Sequence, residues 1–263
     1  MGILNVTPNS FSDGGDWFDH DRALQRGRDI LAEGAHIIDI GGESTRPGIV
    51  RTDSAEELRR ILPVVRALAA EGAVLSIDTM RAEVAVACVE AGAAIINDVS
   101  GGLADPAMLS AVADLGVPYV AMHWRAHSTQ MDDLARYDDV VTDVRDELAE
   151  RAEAALAAGI GADRLILDPG IGFAKTGEHN WALLNRLDVF AELGFPLLLG
   201  VSRKRFLGDL LATGDGPRPP KERDSASAAI ATILAQQGIW AVRVHAVRQH
   251  LDAVAVGHRL SRR

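Results

Sequence analysis

Eight short apolar, β-branched runs recur along the chain: Gly2–Val6, His36–Ile40, Val74–Asp78, Ala94–Val99, Pro118–His123, Leu165–Asp168, Pro196–Val201 and Ala241–His245. Their hydrophobicity is continuous rather than alternating, the pattern of strands buried on both faces. Between them the apolar positions take helical spacing, as in Leu24, Gly27 and Leu31, in Leu58, Ile61, Leu62 and Val65, and in Val84, Ala87, Cys88 and Ala91. Val141, Val144, Leu148 and Leu156 continue the series, and Val247, Leu251 and Val254 end it. Ser54 with Glu57 fits a capping box, and Asp105-Pro106 reads as an N-cap followed by proline at the first helical position. Eight strand–helix units predict a single-domain α/β fold, a (β/α)8 TIM barrel spanning residues 1–263. An open doubly wound sheet competes, but it needs fewer strands and usually a phosphate-binding glycine signature. No G-x-G-x-x-G follows the first run, and no G-x-x-x-x-G-K-[ST] occurs.

Composition narrows the class. With 263 residues, 48% hydrophobic and 24% charged, the chain can bury one large core without disulfide or metal staples. Aromatics at 5% leave that core to Ala, Val, Leu and Ile. Acidic residues outnumber basic ones, 37 to 27, and the net charge of −10 argues against nucleic acid or an anionic membrane as partner. An anionic small molecule responds to local charge and stays open. The single cysteine, Cys88, lies on an apolar helix face and can form no internal disulfide, as expected of a cytoplasmic protein. Met1–Asp21 lacks the basic-then-apolar order of a signal peptide. Ser225–Val242, the longest uncharged stretch, reads as a core helix running into a strand, not a membrane span.

Barrels of this class keep their chemistry at the C-terminal strand ends. Here those ends carry Asn5, Asp39 with Gly41-Gly42-Glu43, Asp78, Asn97-Asp98, Met122-His123, Asp168, Ser202-Arg203-Lys204, and Arg243 with His245. Any single Asp or Asn among them could simply cap a helix. Asp78, Asn97 and Asp168 together emerge from apolar runs, where an uncompensated carboxylate is costly. A donor-rich ligand such as a 2-amino-pyrimidinone ring would match them. Lys204, flanked by Arg203 and Arg205, adds positive charge at the seventh strand. Arg243 and His245, two apart on one face of the eighth, stand where barrels commonly bind phosphate, although a structural ion-pair layer is the plainer reading of them. Two glycine-rich loops, Thr7–Gly15 and Gly41–Gly48, offer Asp13, Thr45 and Arg46.

These motifs carry a resemblance. MGILNVTPNSFSDGG (Met1–Gly15), DIGGESTRPG (Asp39–Gly48), SIDT (Ser76–Thr79) and INDVSGG (Ile96–Gly102) are followed by MH (Met122–His123) and LDPGIGFAK (Leu167–Lys175). GVSRKRFLG (Gly200–Gly208) and RVH (Arg243–His245) complete an order that closely resembles the dihydropteroate synthases, the sulfonamide targets of folate biosynthesis, over essentially the whole chain. The resemblance implies a cytoplasmic, homodimeric transferase using Mg2+. It would condense 6-hydroxymethyl-7,8-dihydropterin diphosphate with para-aminobenzoate, giving 7,8-dihydropteroate and pyrophosphate. By position, Thr45, Asp78, Asn97, Met122, Asp168 and Lys204 would hold the pterin. Asn5, Arg243 and His245 would hold the diphosphate, with Asn5 also the metal ligand. Thr45, Arg46, Phe173, Ser202 and Arg203 would form the para-aminobenzoate side, and Lys204, Asp78, Asp168 and Asp13 the catalytic set. Two positions depart from the common pattern: Asn9 stands where the first loop usually carries Asp, and Arg205 where many members have Ser. Met1 opens directly on the first strand, where relatives usually have preceding residues closing the barrel floor. Two other activities share parts of this set. A corrinoid-linked methyltransferase would need the Asp78/Asn97/Asp168 pocket but not the diphosphate side, and a silent homologue would bind pterin without releasing pyrophosphate.

Overall fold

The computed structural model describes residues 1–7, 20–43, 52–125, 134–214 and 216–261. All eight apolar runs contain strands: β1 (Gly2–Asn5), β2 (Ile38–Gly41), β3 (Leu75–Asp78), β4 (Ile95–Asp98), β5 (Tyr119–Met122), β6 (Leu165–Asp168), β7 (Leu198–Leu199) and β8 (Ala241–Val242). Between and after them lie α1 (His20–Ala32), α2 (Ser54–Ala70), α3 (Ala82–Glu90), α4 (Met108–Leu115), α5 (Val140–Ala157), α6 (Gly177–Leu184), α7 (Leu187–Ala191), α8 (Arg205–Leu210), α9 (Asp224–Gln236) and α10 (Val247–Ser261). Strands β1 to β6 pair in sequence order and β7 pairs with β8, all in parallel. Bridges Leu167↔Leu197 and Gly2↔Val244 join the two sheets at both seams and close the barrel. The last two strands are shorter than their runs, yet pairing continues past them. Arg243 N–H donates to the Leu199 carbonyl and Val244 N–H to that of Met1, both at 2.9 Å.

Side chains alternate along each strand, and the two faces part company. Outward residues such as Ile40, Ile77, Ile96, Leu165 and Leu199 join the main core beneath the helices. Inward, Ile95, Val120, Ile166 and Leu198 form a separate apolar floor with Met1, Ile37 and Ala241. Two residues further along the same faces stand Asn97, Met122, Asp168, Asp39 and Arg243. Asp98 has the other parity. It accepts from Tyr119 Oη (2.8 Å), Ser100 Oγ (2.6 Å) and Gly102 N (2.7 Å), so it braces a turn outside the barrel interior.

The helix starts correct one local reading and refine another. Asp53, not Ser54, caps α2, accepting from Glu56 N at 2.7 Å, while Glu57 is fully buried and turned to Thr79 and Arg81. Helix α4 begins at Met108, after Pro106; Asp105 Oδ1 accepts from Ala107 N (3.0 Å) in the turn that leads into it, and Oδ2 reaches back to Ala82 N (2.8 Å) at the start of α3. Leu156 is exposed in the last turn of α5, whereas Val144 and Leu148 are buried. Among the described residues no helix is long and apolar enough to cross a membrane.

Candidate active site

The strand ends converge on the mouth where the inward faces turn from hydrocarbon to charge. At its centre lies Asp39, which accepts from Ser76 Oγ (2.6 Å), Asn97 Nδ2 (3.1 Å) and Arg243 Nε. Arg243 Nη2 also donates to Asp78 Oδ2 at 2.6 Å. Burial works against the guanidinium, but Asp39 and Asp78 raise its pKa and keep it charged. Burial pushes the Asp78 carboxyl well above its ordinary range, against the pull of Arg243. Burial raises Asp168 likewise, with Lys204 opposing; one of its oxygens accepts from Gly170 N (2.8 Å).

Met122 is buried against Met80 and Val99, and Phe173 packs on this cluster as an apolar wall. Lys204 Nζ lies 4.3 Å from the Phe173 ring centre and donates to the Ile171 carbonyl. Burial lowers its pKa to about 8. Gly172 makes this approach possible: its φ is +79°, and a Cβ there would come within 2.6 Å of Lys204 Cδ. At the eighth strand, Ser202 Oγ accepts from the His245 backbone N–H (3.1 Å) and bonds the ring Nδ1 (2.9 Å). The two contacts fix the orientation of the imidazole, and the tautomer follows the direction of the Oγ–Nδ1 bond. Burial, then Arg203 and Arg243, lowers the His245 pKa to about 3, so it offers a neutral N–H rather than a charge.

The structure thus gathers Asp78, Asn97, Met122, Asp168, Phe173, Ser202, Lys204, Arg243 and His245 at one end of the barrel. Asn5, half-buried, ends β1 at the same end. Arg203 differs from expectation. Its guanidinium is held by both oxygens of Asp224 (2.7 Å each), and its backbone is left-handed at φ +61°. Arg205 points to solvent. Asp13, Thr45, Arg46 and Asn9 lie outside the described residues. Two participants carry no role in the sequence reading. Asp39 stands there among the polar strand ends and shares the strand face of the ligand-binding positions, a parity visible in the sequence. Lys175, which reaches the same loop as Phe173, appears only as the last residue of the LDPGIGFAK motif.

A family description, pterin binding enzyme, matches residues 1–245. Dihydropteroate synthase from Mycobacterium leprae is 55% identical over 258 residues, covering 97% of this chain and 91% of its own. Dihydropteroate synthase from Xanthomonas albilineans, solved with 4-aminobenzoic acid, is 44% identical with a TM-score of 0.91, covering 100% of this chain and 92% of its own. The same enzyme in complex with 7,8-dihydropteroate gives 42% and 0.88, over 100% of this chain and 93% of its own. With barrel, mouth and relatives in agreement, the chain belongs to the dihydropteroate synthases, within the pterin-binding enzyme family.

Proposed function

We propose that this mouth performs the dihydropteroate synthase condensation by charge placement, without a protein nucleophile. The observation that carries the reading is the division of the rim. Strands β3, β4 and β6 carry Asp78, Asn97 and Asp168 in the last turn of their pleat, whereas β7 and β8 lead into Lys204, Arg243 and His245. The first arc would take the amino group and ring N–H donors of a pterin, with Met122 and Lys204 against the ring. The second, with Asn5, would take the diphosphate, His245 contributing an uncharged imidazole. As the carbon–oxygen bond breaks, positive charge spreads over the pterin, and Asp78 and Asp168 favour it in a poorly solvated site. The arylamine of para-aminobenzoate then attacks the methylene with its own lone pair and loses its proton to solvent. The aryl ring would lie beside Phe173 and Lys204, where the cation and the aromatic face meet. Because Asp224 holds the Arg203 side chain, that residue would act by shaping the Ser202–Lys204 turn. Thr45 and Arg46 would serve the substrates and Asp13 catalysis, as the family pattern implies.

Among the described residues no three His, Cys, Asp or Glu gather as a metal site. This donor set fits Mg2+ arriving with substrate, since that ion prefers phosphate oxygens and water with few protein ligands. The Asn5 amide would be the protein ligand, and the bound ion would neutralise diphosphate charge. A homodimer is supported by exposed Ile233, Val256 and Leu260 on α9 and α10 and by Trp240 nearby. A cytoplasmic setting suits the buried Cys88 thiol, which burial pushes up to about 12 and leaves inert.

The test is an assay with pterin diphosphate, para-aminobenzoate and Mg2+, following pyrophosphate and dihydropteroate. Lys204→Ala and Asp168→Ala should each lower kcat/KM by about 10–100-fold, the range of one lost charged hydrogen bond. Near-wild-type rates in both would remove these residues from the mechanism.

A further inference from the structure

The loop between β6 and α6 is held in an uncommon shape by a side chain to which the mechanism above gives no role. Lys175 Nζ donates to His123 Nδ1 (3.0 Å), the Phe173 carbonyl (3.0 Å) and the Gly170 carbonyl (3.1 Å). Three acceptors use the full donor capacity of an ammonium. His123 is equally committed: its Nε2 faces Glu147 Oε2 at 2.9 Å, and burial, then Lys175, lowers its pKa to about 4, leaving Nδ1 free to accept. Ala174, between Phe173 and Lys175, is left-handed at φ +48°, a conformation that non-glycine residues keep only where their surroundings impose it. Tyr137 Oη donates to its carbonyl at 3.0 Å. The opposite side of the same loop presents the Phe173 ring and the Ile171 carbonyl to Lys204.

We propose that Lys175 is a positioning residue for para-aminobenzoate: tied to His123 and to two carbonyls of the loop, it fixes the backbone that sets the Phe173 ring against Lys204. The inference rests on the reading of Phe173 as the para-aminobenzoate wall. Lys175 itself touches no substrate; it acts through the ring. A bent aliphatic chain of similar length cannot replace it, because the two carbonyls and the imidazole would then be left unpaired inside the loop.

Steady-state kinetics of Lys175→Met, Phe173→Ala and the double variant test this, beside direct titration of a pterin ligand. Lys175→Met should raise the KM for para-aminobenzoate by about tenfold or more, as small displacements of positioning groups do, with pterin affinity within about threefold of wild type. In the Phe173→Ala background the same change should add less than about twofold, since a residue acting through the ring has nothing left to position. Lys175→Arg keeps the charge but cannot converge one nitrogen on three acceptors, and should show the same KM effect if Lys175→Met fails to fold. An unchanged para-aminobenzoate KM in the Lys175 variants, an effect that persists in full without the ring, or an equal loss of pterin affinity would each overturn the proposal. A normal KM in Phe173→Ala would instead overturn the reading beneath it.

Discussion

Lys204 shows how much a single side chain takes from its neighbours. Burial brings its pKa down to about 8, with Asp168 pulling the other way, from an ordinary value of about 10.4. A lysine with a depressed pKa is charged below that value and neutral above it. If its charge lies against the pterin, kcat/KM falls as pH rises through about 8, while protonation of the raised Asp78 and Asp168 carboxyls sets a separate acid limb. The fall begins nearer 7, because burial and Lys204 bring Lys175 to about 7 and it gives up its proton first. In Lys204→Arg, whose guanidinium stays charged, only the earlier limb should remain. A pH–rate profile flat from neutrality into the alkaline range would separate the lysine charge from catalysis. The sequence made Lys204 a candidate through its place at a strand end. It could not show the Ile171 carbonyl and the Phe173 ring that receive it, 33 and 31 residues away by chain number. Nor could it pair Arg243 with Asp39, across 204 residues.

Elements were legible where a pattern is local and illegible where a partner is distant. Ser54 and Glu57 have capping-box spacing, but Asp53 already satisfies the α2 amides, and Glu57 is drawn inward by Thr79 Oγ1 (2.7 Å) and the Arg81 guanidinium. Arg81 also reaches Glu43 Oε2 (2.6 Å) and the Thr52 carbonyl. Arg60 bonds the Gly42 carbonyl (2.8 Å) and Thr52 Oγ1 (3.3 Å). These two arginines therefore tie the end of the β2 strand to the start of α2. Removing Arg81 leaves a fully buried carboxylate without its cation, a loss of about 3–5 kcal/mol in comparable pairs. Chemical unfolding of Arg81→Met should show this near neutral pH. Burial has already raised the Glu57 pKa, and without Arg81 it rises further. A raised carboxyl contributes stability while protonated and loses it as pH climbs through its folded value, so the deficit of Arg81→Met should shrink toward acid pH. A deficit independent of pH would show that Glu57 is not the stranded charge.

At the scale of the whole barrel, strand parity decides what each residue does. One inward face of each strand was visible as an apolar run ending in a polar residue, and the closed ring of eight parallel strands places those endings together at one mouth. The overall charge of −10 gave no hint of the positive arc formed by Lys204 and Arg243, because closure of the ring, not composition, assembles it. The same parity separates stability from function along the barrel axis. Leu198 is fully buried in the floor with Ile95, Val120 and Ile166, while Gly200, two residues on, begins the segment that leads to Lys204. Truncating Leu198 to Ala opens a cavity in the floor and should cost about 2–5 kcal/mol. The mouth is built on different residues of the same strands, so KM for both substrates should stay within about twofold of wild type wherever the protein remains folded. Denaturant titration beside steady-state kinetics separates the two outcomes. A Leu198→Ala enzyme that keeps its stability but loses affinity would mean that the floor and the mouth are one mechanical unit, and that function in this barrel is not confined to the C-terminal ends of its strands.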